Sequence, residues 1–206
     1  MSKGIFISME GPDGAGKSTQ IALLKDYLST KGYDIIITRE PGGTSISEKI
    51  RNIILDKNHK EMADNTELLL YTAARAKLVE EVIKPALSSG KAVISDRFVD
   101  SAAVYQGIAR NMGIDEVYAV NEYALQGLMP DVTIMLLLSA EEGIRRKKCQ
   151  AVLDRMEAEG LEFHRKVVDG YRILAERFPE RIASIDATKD VQTIHKEMIA
   201  IIEDKL

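Results

Sequence analysis

Gly11-Pro12-Asp13-Gly14-Ala15-Gly16-Lys17-Ser18 decides how this chain folds. The stretch fits the pattern G-x-x-x-x-G-K-[ST] at every fixed position, and its flanks fit the context that pattern needs. Before it stands Ile5-Phe6-Ile7-Ser8-Met9, a short apolar strand candidate. After it, Ile21, Leu24 and Leu28 recur at helical spacing in the run from Ser18 to Ser29. A strand, a glycine-rich turn and a helix start make an anion site. The first N–H groups of a helix lack intrahelical partners, and the positive end of its dipole points the same way. Gly11 through Thr19 are therefore expected to cradle the phosphates of a nucleotide, with Lys17 reaching the β- and γ-phosphates and Ser18 helping to hold Mg²⁺.

Further along, apolar runs alternate with helical stretches. Strands are expected at Ile5–Met9, Asp34–Thr38, Ala92–Ser95, Val132–Leu138 and Ile182–Ile185. Helices are expected over 17–31, 45–57, 65–88, 98–110, 115–128, 140–148, 157–177 and 190–204, with Pro85 kinking or stopping the third. This alternation predicts an α/β fold: βαβ units and a mostly parallel sheet covered on both faces. Val132–Leu138 is almost wholly apolar, as a doubly covered strand should be. Ligands of such sheets gather outside the carboxyl ends of the strands. The glycine loop, Arg39-Glu40-Pro41-Gly42-Gly43-Thr44 and Asp96-Arg97 each follow a strand candidate.

The chain has 206 residues, which suits one domain, or one domain with a small insert, and a sizeable core. A net charge of −4 argues against a general nucleic-acid binder. The single Cys149 excludes an intramolecular disulfide framework, and no signal-peptide or membrane-spanning run stands out. A cytoplasmic enzyme with small-molecule substrates is the expectation, with neither nucleic acid nor membrane as partner.

Several side chains suit that chemistry. Asp96, at a strand tip beside the glycine loop, suits Mg²⁺, directly or through water. Arg97 sets an always charged fork at the same edge, which suits a second phosphate. Arg39, Arg51 and Arg97 as a set tilt towards an acceptor that is itself a phosphate, since an alcohol acceptor would call for a base instead. Asp13 is an electrostatic oddity inside a phosphate loop; it either faces an acceptor hydroxyl or a metal-bound water, or points outward as a turn residue. Tyr71 and Arg75 share a helix face, a pairing that grips a nucleobase. Ser101 and Tyr105 repeat that spacing, with Gln106 beside them. Arg145-Arg146-Lys147-Lys148 and Asp154-Arg155 form a cationic segment suited to closing over transferring phosphates. His59, His164 and His195 have no ligand spacing.

Taken together, Glu10-Gly11-Pro12-Asp13-Gly14-Ala15-Gly16-Lys17-Ser18-Thr19, Arg39 through Thr44, Asp96-Arg97-Phe98-Val99-Asp100-Ser101, Tyr105-Gln106-Gly107 and Leu153-Asp154-Arg155 resemble the bacterial thymidylate kinases along essentially the whole chain. The resemblance implies one P-loop kinase domain over 1–206, a five-stranded parallel sheet and a lid near 141–156. It implies phosphoryl transfer from ATP to dTMP with Mg²⁺, usually by a homodimer. It places Lys17, Ser18 and the rest of Gly11–Thr19 on the ATP phosphates, Arg145 on the adenine side, and Ser18 and Asp96 near the metal. Asp13 falls on the acceptor sugar hydroxyl. Arg39, Arg51 and Arg97 fall on the acceptor phosphate, with Glu40 and Ser101 in the same acceptor group. Tyr71 would stack on thymine, Arg75 would donate to its O4, Tyr105 would crowd a 2′-hydroxyl, and Gln106 lies on the same wall. The catalytic set is Lys17, Arg97, Asp13, Arg146 and Arg155, while Lys147 and Lys148 stay open as alternative transition-state cations. Three departures stand out. Ala102 replaces a hydroxyl residue near thymine N3. Gly14 stands where the eukaryotic form is basic. Cys149-Gln150-Ala151 replaces an arginine flanked by small residues. The nearest rival is a P-loop kinase for another nucleoside monophosphate or a nucleoside. A GTPase switch lacks support, since the chain has no N-K-x-D segment.

Overall fold

In the computed structural model, which describes residues 4–148 and 154–206, five strands form one parallel sheet in the order β2-β3-β1-β4-β5. The strands are β1 Ile5–Glu10, β2 Ile35–Arg39, β3 Ala92–Asp96, β4 Val132–Leu137 and β5 Ile182–Asp186. The helices between and after them are α1 Lys17–Thr30, α2 Ser45–Leu55, α3 Asp64–Leu78, α4 Lys84–Ser88, α5 Val99–Ala102, α6 Ile114–Leu125, α7 Ala140–Lys148, α8 Leu161–Arg177 and α9 Val191–Glu203. Register positions the site. Met9 of β1 pairs with Asp96 of β3, and Asp96 with Arg39 of β2. Three strand ends therefore stand abreast, and their loops leave the sheet side by side.

Both faces of the sheet are covered, so β1 is buried throughout. Alternation sends Ile5, Ile7 and Met9 to one face, against Leu24 and Leu28 of α1 and Met198 and Ile202 of α9. Phe6 goes to the other, against Leu78, Ile83 and Phe98. Met135 of β4 packs there with Val104, Val167 and Tyr171. Truncating one of these fully buried aliphatics to alanine would cost about 2–5 kcal/mol. The same alternation places Ser8 and Glu10 on the second face, where both are buried and must find partners within the protein.

The helices depart from simple periodicity in three places. Where one helix is expected over 65–88, a π-helical turn at Val79–Ile83 separates α3 from α4. It falls just ahead of Pro85, whose ring and missing N–H a regular ladder does not accommodate, and helical structure continues to Ser88. The segment expected as a helix over 98–110 is α5 followed by a π-helical stretch, Ala103–Ala109. This stretch lies close on α8, where a Cβ on Gly170 would stand 3.1 Å from side-chain atoms of both Ile108 and Val104. Residues ahead of α8 form their own turn, in which Asp154 N–H donates to Glu157 at 3.0 Å and Glu157 N–H to Asp154 at 2.9 Å, so α8 begins at Leu161 and not at 157. Among the described residues, no helix is long and apolar enough to cross a membrane.

Candidate active site

A cavity of about 600 Å³ opens at the shared edge of β1, β2 and β3. Its first wall is the glycine loop. Gly16, at φ 92°, turns the chain into α1 with no side-chain cap, so the first N–H groups of α1 are left for an anion. Lys17 Nζ donates to the carbonyls of Gly11 at 3.0 Å and Pro12 at 3.1 Å, and lies 4.0 Å from Asp13 Oδ1. Burial and the charge of Arg97 pull the Lys17 ammonium down to about 8, although Asp13, Asp96 and Glu10 oppose them. Asp13 faces inward and accepts a 2.7 Å bond from Arg97 Nη2. Burial alone would raise its pKa, but Arg97 and Lys17 hold the carboxyl well below the usual carboxylate range. Asp13 thus lies between Arg97 and Lys17 and offsets part of their positive charge.

Asp96 and Ser18 both line the cavity. Asp96 Oδ1 is buried with no hydrogen-bond partner. A desolvated, unpaired carboxylate oxygen beside a phosphate loop fits a hard divalent cation. Among the described residues, no cluster of three or more His, Cys, Asp or Glu could hold a metal. Phosphate and water oxygens would have to complete the shell of any Mg²⁺ bound here.

Arg97 divides the cavity. Its φ of 71° is left-handed, a conformation that costs a non-glycine residue about 1–3 kcal/mol. The surroundings impose it. Arg97 N–H donates to Met9 at 3.0 Å, and its carbonyl accepts from Ser95 Oγ at 2.6 Å. Its Nη1 reaches the Gly11 carbonyl at 3.0 Å, Ser101 Oγ at 3.2 Å and Tyr171 OH at 2.8 Å, and the guanidinium lies 5.3 Å over the Tyr105 ring. Glu10 lies beneath and accepts from Phe98 N–H at 2.7 Å and Ser101 Oγ at 2.5 Å. Burial and the charge of Asp100 push the Glu10 carboxyl up to about 7, against the opposing pull of Arg97.

Beyond Arg97 lies the second half of the cavity, walled by Tyr71, Arg75, Phe98, Ala102, Tyr105 and Gln106. Arg75 is 1% exposed and grips Glu40 through Nε at 2.9 Å, with Asn121 on its other arm. Its plane lies 5.6 Å from the Phe98 ring centroid. Glu40 is buried and engaged with Arg75, which makes it a support for that guanidinium. Arg39 pairs with Glu48 at 2.9 Å, and Arg51 donates to the Pro41 carbonyl at 2.9 Å. Gln106 is fixed by Glu67, whose carboxylate accepts from its Nε2 at 2.8 Å.

The structure thus gathers Asp13, Gly14, Gly16, Lys17, Ser18, Thr19, Arg39, Glu40, Arg51, Tyr71, Arg75, Asp96, Arg97, Ser101, Tyr105, Gln106 and Arg146 around one cavity. Gly11, Pro12 and Ala15 do not line the cavity; Gly11 and Pro12 offer their carbonyls to Lys17, and Ala15 N–H donates to the Pro12 carbonyl at 3.3 Å. Two expected cations lie elsewhere. Arg155 does not itself line the cavity: its Nε donates to the Ile54 carbonyl at 2.6 Å and its Nη2 to Glu67 at 2.5 Å. Arg145 extends to solvent, with Glu142 2.7 Å from its Nε. Cys149, Gln150, Ala151 and Leu153, and the side chain of Lys148, lie outside the described residues. Sequence reasoning missed Glu67, Tyr171, Asn121 and the supporting role of Glu10. Glu67 alone left a local trace, as it stands one helical turn before Tyr71.

Comparison with known proteins fits this geometry. The sequence model of the thymidylate kinase family matches residues 9–198. A thymidylate kinase of Thermoanaerobacter sp. (strain X514) is 48% identical over 204 residues, covering 99% of this chain and 100% of its own length. One from Geobacillus sp. (strain WCH70) is 48% identical over 206 residues, covering 99% and 98%. The crystal structure of thymidylate kinase from Ehrlichia chaffeensis superposes with a TM-score of 0.77 at 31% identity, covering 97% of this chain and 98% of that one. A phosphate loop, an arginine-divided cavity and relatives matched from end to end converge: this chain belongs to the thymidylate kinase family.

Proposed function

We propose that this protein transfers the γ-phosphoryl group of ATP to dTMP, giving ADP and dTDP for dTTP synthesis. The observation that carries the reading is one cavity with two anion sites end to end. The free start of α1 and Lys17 face one half, Tyr71 and Arg75 the other, and Arg97 stands between them. Gly11–Thr19 and Lys17 hold the donor phosphates. Arg39, Arg51 and Arg97 hold the acceptor phosphate, and Asp13 meets the acceptor sugar. Glu40 holds Arg75 towards the base, Tyr71 stacks on it, and Ser101, Tyr105 and Gln106 complete the pocket. Arg145 and Arg146 lie towards the adenine side, Arg146 through its bonds to the carbonyls of Gly14 at 3.4 Å and Ala187 at 3.3 Å. Mg²⁺, held by Ser18, Asp96, phosphate and water, would neutralise charge on the donor oxygens. No protein base is needed, since the attacking phosphate oxygen is already ionised; positioning and charge neutralisation supply the rate. We further infer one kinase domain over 1–206 with its lid near 141–156, acting as a cytoplasmic homodimer.

Coupled ADP release over a panel of acceptors tests the reading. dTMP should be turned over at least tenfold better than purine monophosphates or free nucleosides. Preferred turnover of a purine monophosphate or a nucleoside would overturn it.

A further inference from the structure

Arg97 brings one terminal nitrogen to the cavity and gives the other to the protein. Its Nη2 reaches Asp13, which lines the cavity, at 2.7 Å. Its Nη1 is ringed by acceptors: Tyr171 OH at 2.8 Å, the Gly11 carbonyl at 3.0 Å and Ser101 Oγ at 3.2 Å. Gly11 belongs to the glycine loop, and Ser101 follows Arg97 by 4 residues. Tyr171 comes from α8, 74 residues along the chain. It is fully buried and does not line the cavity, so it acts on a bound substrate only through its neighbours.

Packing carries the Tyr171 hydroxyl to Arg97. Gly170 lets α8 lie against the π-helical stretch Ala103–Ala109, where a Cβ on that glycine would stand 3.1 Å from side-chain atoms of Val104 and Ile108. The Tyr171 ring packs with Val104, Met135 and Val167 and meets the Tyr105 ring edge-on, with centroids 6.5 Å apart. The hydroxyl's own hydrogen goes to Glu10 Oε2 at 3.3 Å, and that of Ser101 goes to the same oxygen at 2.5 Å. Each hydroxyl therefore turns a lone pair to Arg97. Parallel N–H···O–H···O chains run from the guanidinium to one buried carboxylate, each bond polarising the next. Burial pushes the Tyr171 phenol well above its ordinary pKa, against the pull of Arg97, so the group stays a neutral hydroxyl and moves no proton.

We propose that Tyr171 is a positioning residue for the phosphoryl acceptor: its hydroxyl, oriented by Glu10, holds Nη1 of Arg97 so that Nη2 is presented to the acceptor phosphate. The proposal rests on the dTMP kinase reading above. The base-recognising side chains have other supports, Arg75 on Glu40 and Asn121, and Gln106 on Glu67. Loss of the hydroxyl is therefore felt by the acceptor's phosphate and not by its nucleoside.

Tyr171→Phe keeps the ring that packs α8 and removes only the oxygen. By calorimetry, dTMP binding should weaken roughly 5–20-fold, while binding of thymidine, which lacks the phosphate, and KM for ATP should each change less than about twofold. Placed on Arg97→Ala, the same substitution should alter dTMP binding less than about twofold, because the group it acts through is gone. A purely structural role would weaken dTMP and thymidine alike and would add in full to Arg97→Ala. Either of those results, or dTMP affinity in Tyr171→Phe within about twofold of the parent, would overturn the assignment and leave the kinase reading standing. A parent that binds dTMP no better than thymidine and releases no ADP with it would sink both.

Discussion

Glu67→Gln is the most exacting perturbation of the site's architecture. The carboxylate is 0% exposed and accepts from Arg155 at 2.5 Å, Gln106 at 2.8 Å and Arg110 at 3.4 Å. The amide that replaces it brings donors of its own into a pocket of donors. Arg155 keeps the Ile54 carbonyl at 2.6 Å, while Arg110 keeps Glu159 at 2.5 Å and Asp64 at 3.5 Å. Removing one partner of a buried ion pair costs about 3–5 kcal/mol, and the partners left to Arg110 place the loss near the lower figure. For a chain of 206 residues, about 3 kcal/mol lowers the melting temperature by roughly 6–12 °C. Urea unfolding and calorimetry read this directly. A cycle with Arg155→Leu should show at least about 1 kcal/mol of coupling. Gln106 also loses its anchor, so KM for dTMP should rise while KM for ATP holds. A loss below about 1 kcal/mol, or a strictly additive cycle, would refute the claim that Glu67 ties these side chains together.

Three other outcomes follow from the same geometry. Lys17 sits at about 8 without ligand, and bound triphosphate should raise it, so binding an ATP analogue at pH 8 should take up about half a proton. Calorimetry in buffers of different ionisation heat measures this, and the uptake should disappear in Lys17→Met. Arg97→Ala removes a charge-assisted contact worth about 1.5–3 kcal/mol, so kcat/KM for dTMP should fall roughly 10–150-fold; near-normal kinetics would take Arg97 out of the site. Glu10 has its pKa raised from 4.5 to about 7, so the folded protein holds this proton more tightly than the unfolded chain does. Its contribution is complete below about pH 4.5 and is lost as pH rises through 7, an amount of up to ~3 kcal/mol. The stability advantage of the parent over Glu10→Gln should therefore shrink between pH 5 and pH 8, and a flat difference would contradict the raised pKa.

The strands were legible in the sequence to within a residue or so at each end because each is a short, largely apolar run between turn residues. The π-helical turns were not. Val79–Ile83 and Ala103–Ala109 carry ordinary helix-forming residues, and what distinguishes them is a later proline in one case and packing against α8 in the other. The site divides the same way. Residues on the glycine loop, at Arg39–Glu40 and at Asp96–Arg97 were readable because each motif sits at a strand end, and parallel register brings strand ends together. Tyr171 was not readable: it meets Glu10 across 161 residues of sequence, and nothing local to α8 marks it. The partner of Arg155 was hidden for a related reason. Its place in a basic segment suggested a phosphate, whereas a carboxylate 88 residues away holds it.

The cavity is lined by side chains of both signs of charge. Its cations rest on carboxylates, and exposure sorts these pairs into two kinds. Glu40 and Glu67 are 4% and 0% exposed and lie against Arg75 and Arg155; no phosphate displaces them without stranding a buried charge. Asp13, Glu48 and Glu157 are 31%, 40% and 15% exposed and face Arg97, Arg39 and Lys147. Arg39–Glu48 is exposed on both sides, so water can replace it at little cost, whereas each of the other two keeps one largely buried partner. Architecture and chemistry are thereby separated within one set of ion pairs. The locked pairs fix the walls, and under the kinase reading proposed above the more exposed pairs are those a phosphate oxygen would meet. The same division explains how a chain of net charge −4 carries a cluster of cations on one cavity: Arg75, Arg97, Arg39 and Lys147 each face an acidic side chain of the fold.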